Sequence, residues 1–317
     1  MVRENKMKSS GFKIKYFILL FVFFVFFHVP AFAAEKTIGV IMTGNIPYYN
    51  EIHKSFIEAL SAEGLGRGEV EIILQRPAPT PMAWINAARK LAAYNVDVIV
   101  SYGAPATITV MAETSRIPVV YAGVYDPQAL GLSGKNITGI SSNIPIITLL
   151  KYLRRISNFS TLGVVFSHNE RDTVLQVNEV EQLAGKLEFL STRVNFEKTA
   201  DASKIANIDA LFLTTGCADI YRLNDIIKIA RKAKIPTASI IGGGENSGII
   251  LTIAADPYEQ GRKAAKLTAK VIRGTKPSAL PVQEPEKVDI IINLKEAENI
   301  GLKVPFDLLT SATKVIK

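Results

Sequence analysis

The residues able to do chemistry in this chain sit where apolar runs break off. Asn45 follows "TIGVIMTG". Tyr102, Gly103 and Ala104 follow "VDVIVS", and Tyr125 and Asp126 end "IPVVYAGV". His168 and Asn169 follow "TLGVVFS", Thr215 and Gly216 end "DALFLTTG", Glu245 sits in "GGGEN", and Asp256 precedes "PYEQGRKAAKLTAK". These types suit the recognition of a small molecule. A tyrosine ring stacks on a ligand ring, a carboxylate pairs with an ammonium, and small residues let a ligand approach the backbone. Each residue also has a plain structural use. Asn45 and Asp126-Pro127 suit turns, Asp256-Pro257 suits a helix cap with proline at the first helical position, and the tyrosines suit packing. Their joint placement is what stands out. In open parallel sheets ligands bind beyond the carboxyl ends of the strands, beside helix N-termini.

Catalysis has little support in the same residues. There is no G-x-S-x-G elbow, no H-E-x-x-H and no phosphate loop; "GGGEN" lacks the Lys-Ser/Thr that a phosphate loop needs. His168 reads as an exposed loop residue. His28, His53 and His168 are too scattered for a metal site, and the single cysteine, Cys217, can form no internal disulfide or zinc cluster. The expectation is a binding protein with no metal, no cofactor and no catalytic residues.

Short apolar strands alternate with amphipathic helices along the chain. "TIGVIMTG", "EVEIILQ", "VDVIVSYG" and "IPVVYAGV" read as strands. Between them lie helices at "NEIHKSFIEALSAEG", "PMAWINAARKLAAYN" and "PATITVMAETS". After Gly139 the pattern restarts with "IPIITLLKYLRRIS" as a helix and "TLGVVFSH" as a strand. It ends with the long helix after Asp256, the strand "KVDIIINL" and a short terminal helix. Continuous apolar strands separated by helices indicate parallel sheets covered on both faces. Two such sets, with no Pro/Gly/Ser-rich linker between them, predict two α/β lobes joined by a hinge.

The first residues differ in kind. A basic stretch (Lys6, Lys8, Lys13, Lys15) precedes the apolar core "YFILLFVFFVFFHV" and a small-residue site at Ala31-Phe32-Ala33. These are the three parts of a secretory signal peptide, and the apolar core is shorter than the roughly 20 residues of a spanning helix. Cleavage after Ala33 is expected. It removes five basic residues against Glu4, taking the formal charge from +8 to +4. The remaining bases are scattered, which argues against nucleic acid as a partner. With no cysteine near the cleavage site to carry a lipid, the export route ends in solution, in the periplasm.

Three stretches carry a family resemblance. "VDVIVSYGAPATITVMAETSRIPVVYAGVYDP", "NITGISS" and the tail from "DPYEQGRKAAKL" to "NIGLKVP" resemble ABC-transporter substrate-binding proteins of the tryptophan/tyrosine-type family. The resemblance implies a type I periplasmic-binding-protein fold of two Rossmann-like lobes with three hinge crossings. It divides the chain into a first lobe of residues 34–142 plus 255–283 and a second of 143–254 plus 284–317. It implies a monomer that takes up a small organic ligand, in the family's pattern an aromatic amino acid or related compound, and delivers it to an ABC permease in the inner membrane. A sensor docking on a membrane receptor, or a periplasmic enzyme, are the alternatives. The chain departs from the family's pattern at three places. Tyr125 stands where a serine is common, Asp172-Thr173 where an Asn-Ser pair is common, and Thr215-Gly216 where a polar pair is common. An acid at Asp172 disfavours a ligand carboxylate there.

Overall fold

The computed structural model describes residues 36–197, 199–216, 220–242 and 247–317. The expected signal segment, Cys217 and Glu245 lie outside the described residues.

The first apolar runs form strands β1 (Lys36–Met42), β2 (Val70–Gln75), β3 (Val98–Tyr102), β4 (Val119–Val124) and β5 (Ile137–Ser141). They make one parallel sheet in the order β2-β1-β3-β4-β5. Both faces are covered, as an all-parallel sheet requires. Helix α1 (Pro47–Ala62) lies on one face, and α2 (Pro81–Ala93) and α3 (Ala104–Glu113) lie on the other. The period of two sorts β3 accordingly. Val98, Val100 and Tyr102 enter the core shared with α1, whereas Ile99 enters the core shared with α2 and α3.

The second lobe is built from α4 (Ile146–Ile156), β6 (Thr161–Phe166), α5 (Arg171–Leu187), β7 (Leu190–Asn195), a 3-10 segment (Thr199–Asn207), β8 (Ala210–Leu213), α6 (Ile220–Lys232), β9 (Thr237–Ser239) and β10 (Leu251–Ala255). After β10 the chain returns to the first sheet as α7 (Pro257–Ile272), which packs on α1 and over β3, β4 and β5. It then supplies β11 (Val288–Asn293), short helices α8 (Leu294–Asn299) and α9 (Phe306–Ser311), and β12 (Lys314–Ile316) to the second lobe. The second sheet runs β12-β11-β10-β9-β8-β6-β7.

Three features differ from the sequence expectation. Residues 137–141, not among the strands expected from the sequence, form edge strand β5 beside β4. The terminal segment ends in a strand, β12, as well as short helices. The second sheet is not wholly parallel, because β11 runs antiparallel to β10. The cause is topological: β10 leaves the second sheet toward the first lobe, and β11 enters from that same end, so it must point the other way.

One buried side chain ties the returning helix α7 to the first sheet. Gln260 of α7 donates from Nε2 to the Ser141 carbonyl at 2.8 Å, and its Oε1 accepts the Gly123 N–H at 2.9 Å. Gly123 has φ +67 and marks a register shift between β4 and β5. This bulge re-aims the end of β4. The next aromatic, Tyr125, leaves the first lobe and packs in the hydrophobic core of the second.

Candidate ligand-binding site between the lobes

The strand ends of both sheets meet at a polar seam. On the first-lobe side, Gly103 is the N-terminal cap of α3, with φ +87. A side chain there would collide with the hydroxyls of Tyr49 and Thr43, so only glycine fits. Thr43 is itself held at both ends. Its Oγ1 accepts the Ala106 N–H at 3.2 Å, and its carbonyl accepts the Trp84 indole N–H at 2.7 Å. Ala104 opens α3 and is buried. Proline in the first turn of both α1 and α3 presets the helical backbone where N–H groups would go unpaired in any case.

The second-lobe side is a short hydrogen-bonded chain. Gln176 Nε2 donates to Thr215 Oγ1 at 2.6 Å, and Thr215 Oγ1 donates to Asp172 Oδ2 at 2.6 Å. Gln176 Oε1 accepts the Thr215 N–H at 3.0 Å, which fixes the residue at both ends. Gly216 packs against Thr173 and Glu170. Asp172 is 2% exposed, and its second oxygen, Oδ1, has no hydrogen-bond partner. Burial pushes the Asp172 carboxyl above its usual range, against the pull of the Thr215 hydrogen bond.

The two sides face each other. The Tyr49 hydroxyl is held well above its ordinary pKa by burial first, and then by the negative fields of Asp172 and Glu170 from the opposite lobe. Helices α3 and α5 are in contact, and Leu175 of α5 packs against the first lobe's core. A buried carboxylate oxygen with an empty acceptor position, beside aromatic and glycine surfaces, is chemistry that favours a ligand bearing a hydrogen-bond donor or positive charge.

The structure divides the sequence candidates. Gly103 and Ala104 stand at the start of α3, Thr215 is bonded to Asp172, and Gly216 lies beside Thr173 and Glu170. Asn45 is an exposed loop residue whose Oδ1 accepts from Asn50 Nδ2 at 3.0 Å. His168 and Asn169 are exposed, with Asn169 bonded to Glu197 at 2.9 Å. Four further expected positions have partners within the protein. The Tyr102 side chain is fully buried in the first lobe's core, its hydroxyl 3.2 Å from His53 Nδ1, because strand alternation puts it with Val98 and Val100. The Tyr125 hydroxyl donates to Glu179 Oε2 at 2.6 Å across the lobes, and its ring packs in the second lobe's core. Asp126 Oδ1 accepts the Ala129 N–H at 2.9 Å and closes a turn. Asp256 caps α7 by accepting the Glu259 N–H at 2.7 Å, and it also borders a separate cavity of about 560 Å³. Tyr49, Thr43, Gln176 and Glu170, which the sequence reading did not single out, stand at the same seam. Asp172 stood out only as a departure from the family's pattern.

Among the described residues, no group of three or more His, Cys, Asp or Glu side chains is placed to hold a metal ion, and no helix is long and apolar enough to cross a membrane.

Two α/β lobes with mostly parallel sheets and a seam at their strand ends define a type I periplasmic-binding fold. Solved structures agree. A conserved domain protein from Vibrio cholerae O1 biovar El Tor superposes with a TM-score of 0.83 at 24% identity, covering 88% of this chain and 99% of that one. A Streptococcus pneumonia ABC domain solved in complex with L-Trp gives 0.82 at 23%, covering 89% and 100%. A leucine-binding protein from Thermotoga maritima gives 0.57 at 16%, covering 75% and 83%. No curated protein sequence matches the chain. The family profile described as ABC transporter substrate binding protein matches residues 37–316, and the chain belongs to that family. It is a family of binding proteins rather than enzymes.

Proposed function

We propose that this chain is an exported solute-binding protein that closes around a small organic ligand and delivers it to an ABC importer. Residues 1–33 are its signal peptide and the periplasm its compartment. The working unit is a monomer of two lobes, residues 34–142 plus 255–283 and residues 143–254 plus 284–317. The observation that carries the reading is the buried seam in which Asp172, held by Thr215 and Gln176, faces Tyr49 of the other lobe.

Asp172 also bears on the ligand's chemistry. Its unpartnered oxygen suits an ammonium, and the aromatic and glycine surfaces opposite suit a ring lying against the backbone. An aromatic amino acid docked through its ammonium meets both conditions, and the L-Trp held by the pneumococcal neighbour belongs to that class. Closure suits the fold, since the lobes meet at the seam and are joined by three chain passages that can act as a hinge.

The test is a thermal-shift screen of the chain from Ala34 onward against amino acids, aromatic amines, aromatic acids, purines, peptides and sugars. A ligand present at 100 times its Kd stabilises the fold by about 2.7 kcal/mol, which raises the midpoint visibly. Hits confined to molecules bearing an ammonium support the reading. Hits confined to anions or neutral sugars overturn the role given to Asp172. Failure of every class, with protein freed of co-purified ligand, overturns the binding role itself.

A further inference from the structure

The cavity of about 560 Å³ beside Asp256 lies apart from Asp172 and draws on both lobes. Its size is that of a pocket for a small organic molecule. Tyr48, Pro257 and Tyr258 border it from the first lobe, and Ile291 and Ile316 from the second. Three carboxylates, Glu51, Asp256 and Asp289, share it with one base, Lys314. The surroundings are net acidic. Glu51 and Asp289 are both held above the ordinary carboxylate value, by burial first, and neighbouring carboxylates add to the rise in each case despite Lys314.

A second observation points to an occupant. Tyr48 is only 4% exposed, it borders the cavity, and its hydroxyl has no hydrogen-bond partner. After burial, the largest influences on that hydroxyl are the charges of Asp256 and Asp289, both at the cavity. A buried hydroxyl left without a partner costs free energy that a bound molecule would recover. The Tyr48 ring stands edge-on to Tyr49, centroids 5.8 Å apart, and Tyr48 borders the cavity whereas Tyr49 and Asp172 do not.

We infer that this cavity is a second binding site, for a small organic cation whose ammonium pairs with Glu51 and Asp289 and whose apolar body lies between Tyr48, Pro257 and Ile291. Such a molecule touches α1 of one lobe and β11 of the other, so its occupancy acts on the angle between the lobes. By linkage, it then changes the affinity of the seam for its own ligand.

The experiment is isothermal titration of the chain from Ala34 with 2-phenylethylammonium, and with neutral 2-phenylethanol as its uncharged counterpart. The expected result is saturable binding of the cation at millimolar concentration or below, with the alcohol at least about tenfold weaker. A Glu51→Gln/Asp289→Asn double variant, shown folded by circular dichroism, loses about tenfold or more, and Tyr48→Phe, which keeps the ring, loses a few-fold. In Asp172→Asn, which removes any binding of the cation at the seam, a saturable isotherm for the cation remains, and adding the Glu51→Gln/Asp289→Asn changes abolishes it. The inference is overturned if the cation does not bind, if the double variant and Tyr48→Phe both bind as wild type, or if only Asp172→Asn abolishes binding. In that last case the cation belongs to the seam, and the proposed function stands while the second site falls.

Discussion

The Tyr125 hydroxyl donates a 2.6 Å hydrogen bond to Glu179 Oε2, joining the end of a first-lobe strand to the middle of a second-lobe helix. Glu179 uses its other oxygen to accept the Ile146 N–H at 3.2 Å, at the start of α4. One carboxylate thus fastens both the crossing aromatic and the first helix after the crossing. Tyr125→Phe should remove the bond and keep the packing, costing about 1.5–3 kcal/mol as expected for a hydrogen bond to a charged group. Tyr125→Ala should also leave a core cavity and cost about 3–5 kcal/mol. Urea unfolding of both variants measures the two effects. Equal, small losses would mean that the ring is not packed in the second lobe.

The alternating lobes, the strand-end positions and the α7 cap at Asp256 were legible from the chain. So, in principle, was the burial of Tyr102, since its parity with Val98 and Val100 assigns it to the core. Other features depended on contacts distant in sequence. Glu179, far along the chain, decides where Tyr125 goes, and the bulge at Gly123 aims it there. Asp172 becomes buried in a seam facing Tyr49, more than a hundred residues earlier. The antiparallel sense of β11 follows from the path between lobes rather than from its own residues, and β12 is too short to show a period of two.

Gln260 spans two backbone groups of the first sheet. Gln260→Ala should strand the Gly123 N–H and the Ser141 carbonyl together, at about 1–3 kcal/mol for each buried group left unpaired. A loss near 3 kcal/mol in urea unfolding is expected. A loss below about 0.5 kcal/mol would mean that water or a neighbour replaces the side chain at no cost.

His53 makes stability depend on pH. It lies between Phe56 and Tyr102, and burial, followed by the charge of Arg76, pulls its pKa from 6.5 down to about 4. Between those values the unfolded chain binds a proton that the folded chain refuses. Its contribution is therefore complete above pH 6.5 and lost as pH falls toward 4. His53→Gln should flatten the dependence of the unfolding midpoint over this window relative to wild type. Parallel curves for the two proteins would show that other groups carry the acid sensitivity.

Asp172 and Asp126 make opposite predictions for binding. Asp126 is occupied by its own turn, through the Ala129 N–H, whereas Asp172 offers a buried oxygen with no partner. Asp172→Asn preserves the shape and can still accept from Thr215, but it removes the charge. A ligand with an ammonium, such as L-tryptophan if the thermal screen selects it, should bind at least about tenfold more weakly. The unliganded variant should be as stable as wild type or more so, because a buried charge without a cation is relieved. Asp126→Ala should lose about 1 kcal/mol of stability with its turn and leave affinity within about twofold. Titration calorimetry on both variants decides between them. If Asp126→Ala abolishes binding while Asp172→Asn does not, the ligand's charge lies at the turn after β4, and the seam serves closure alone.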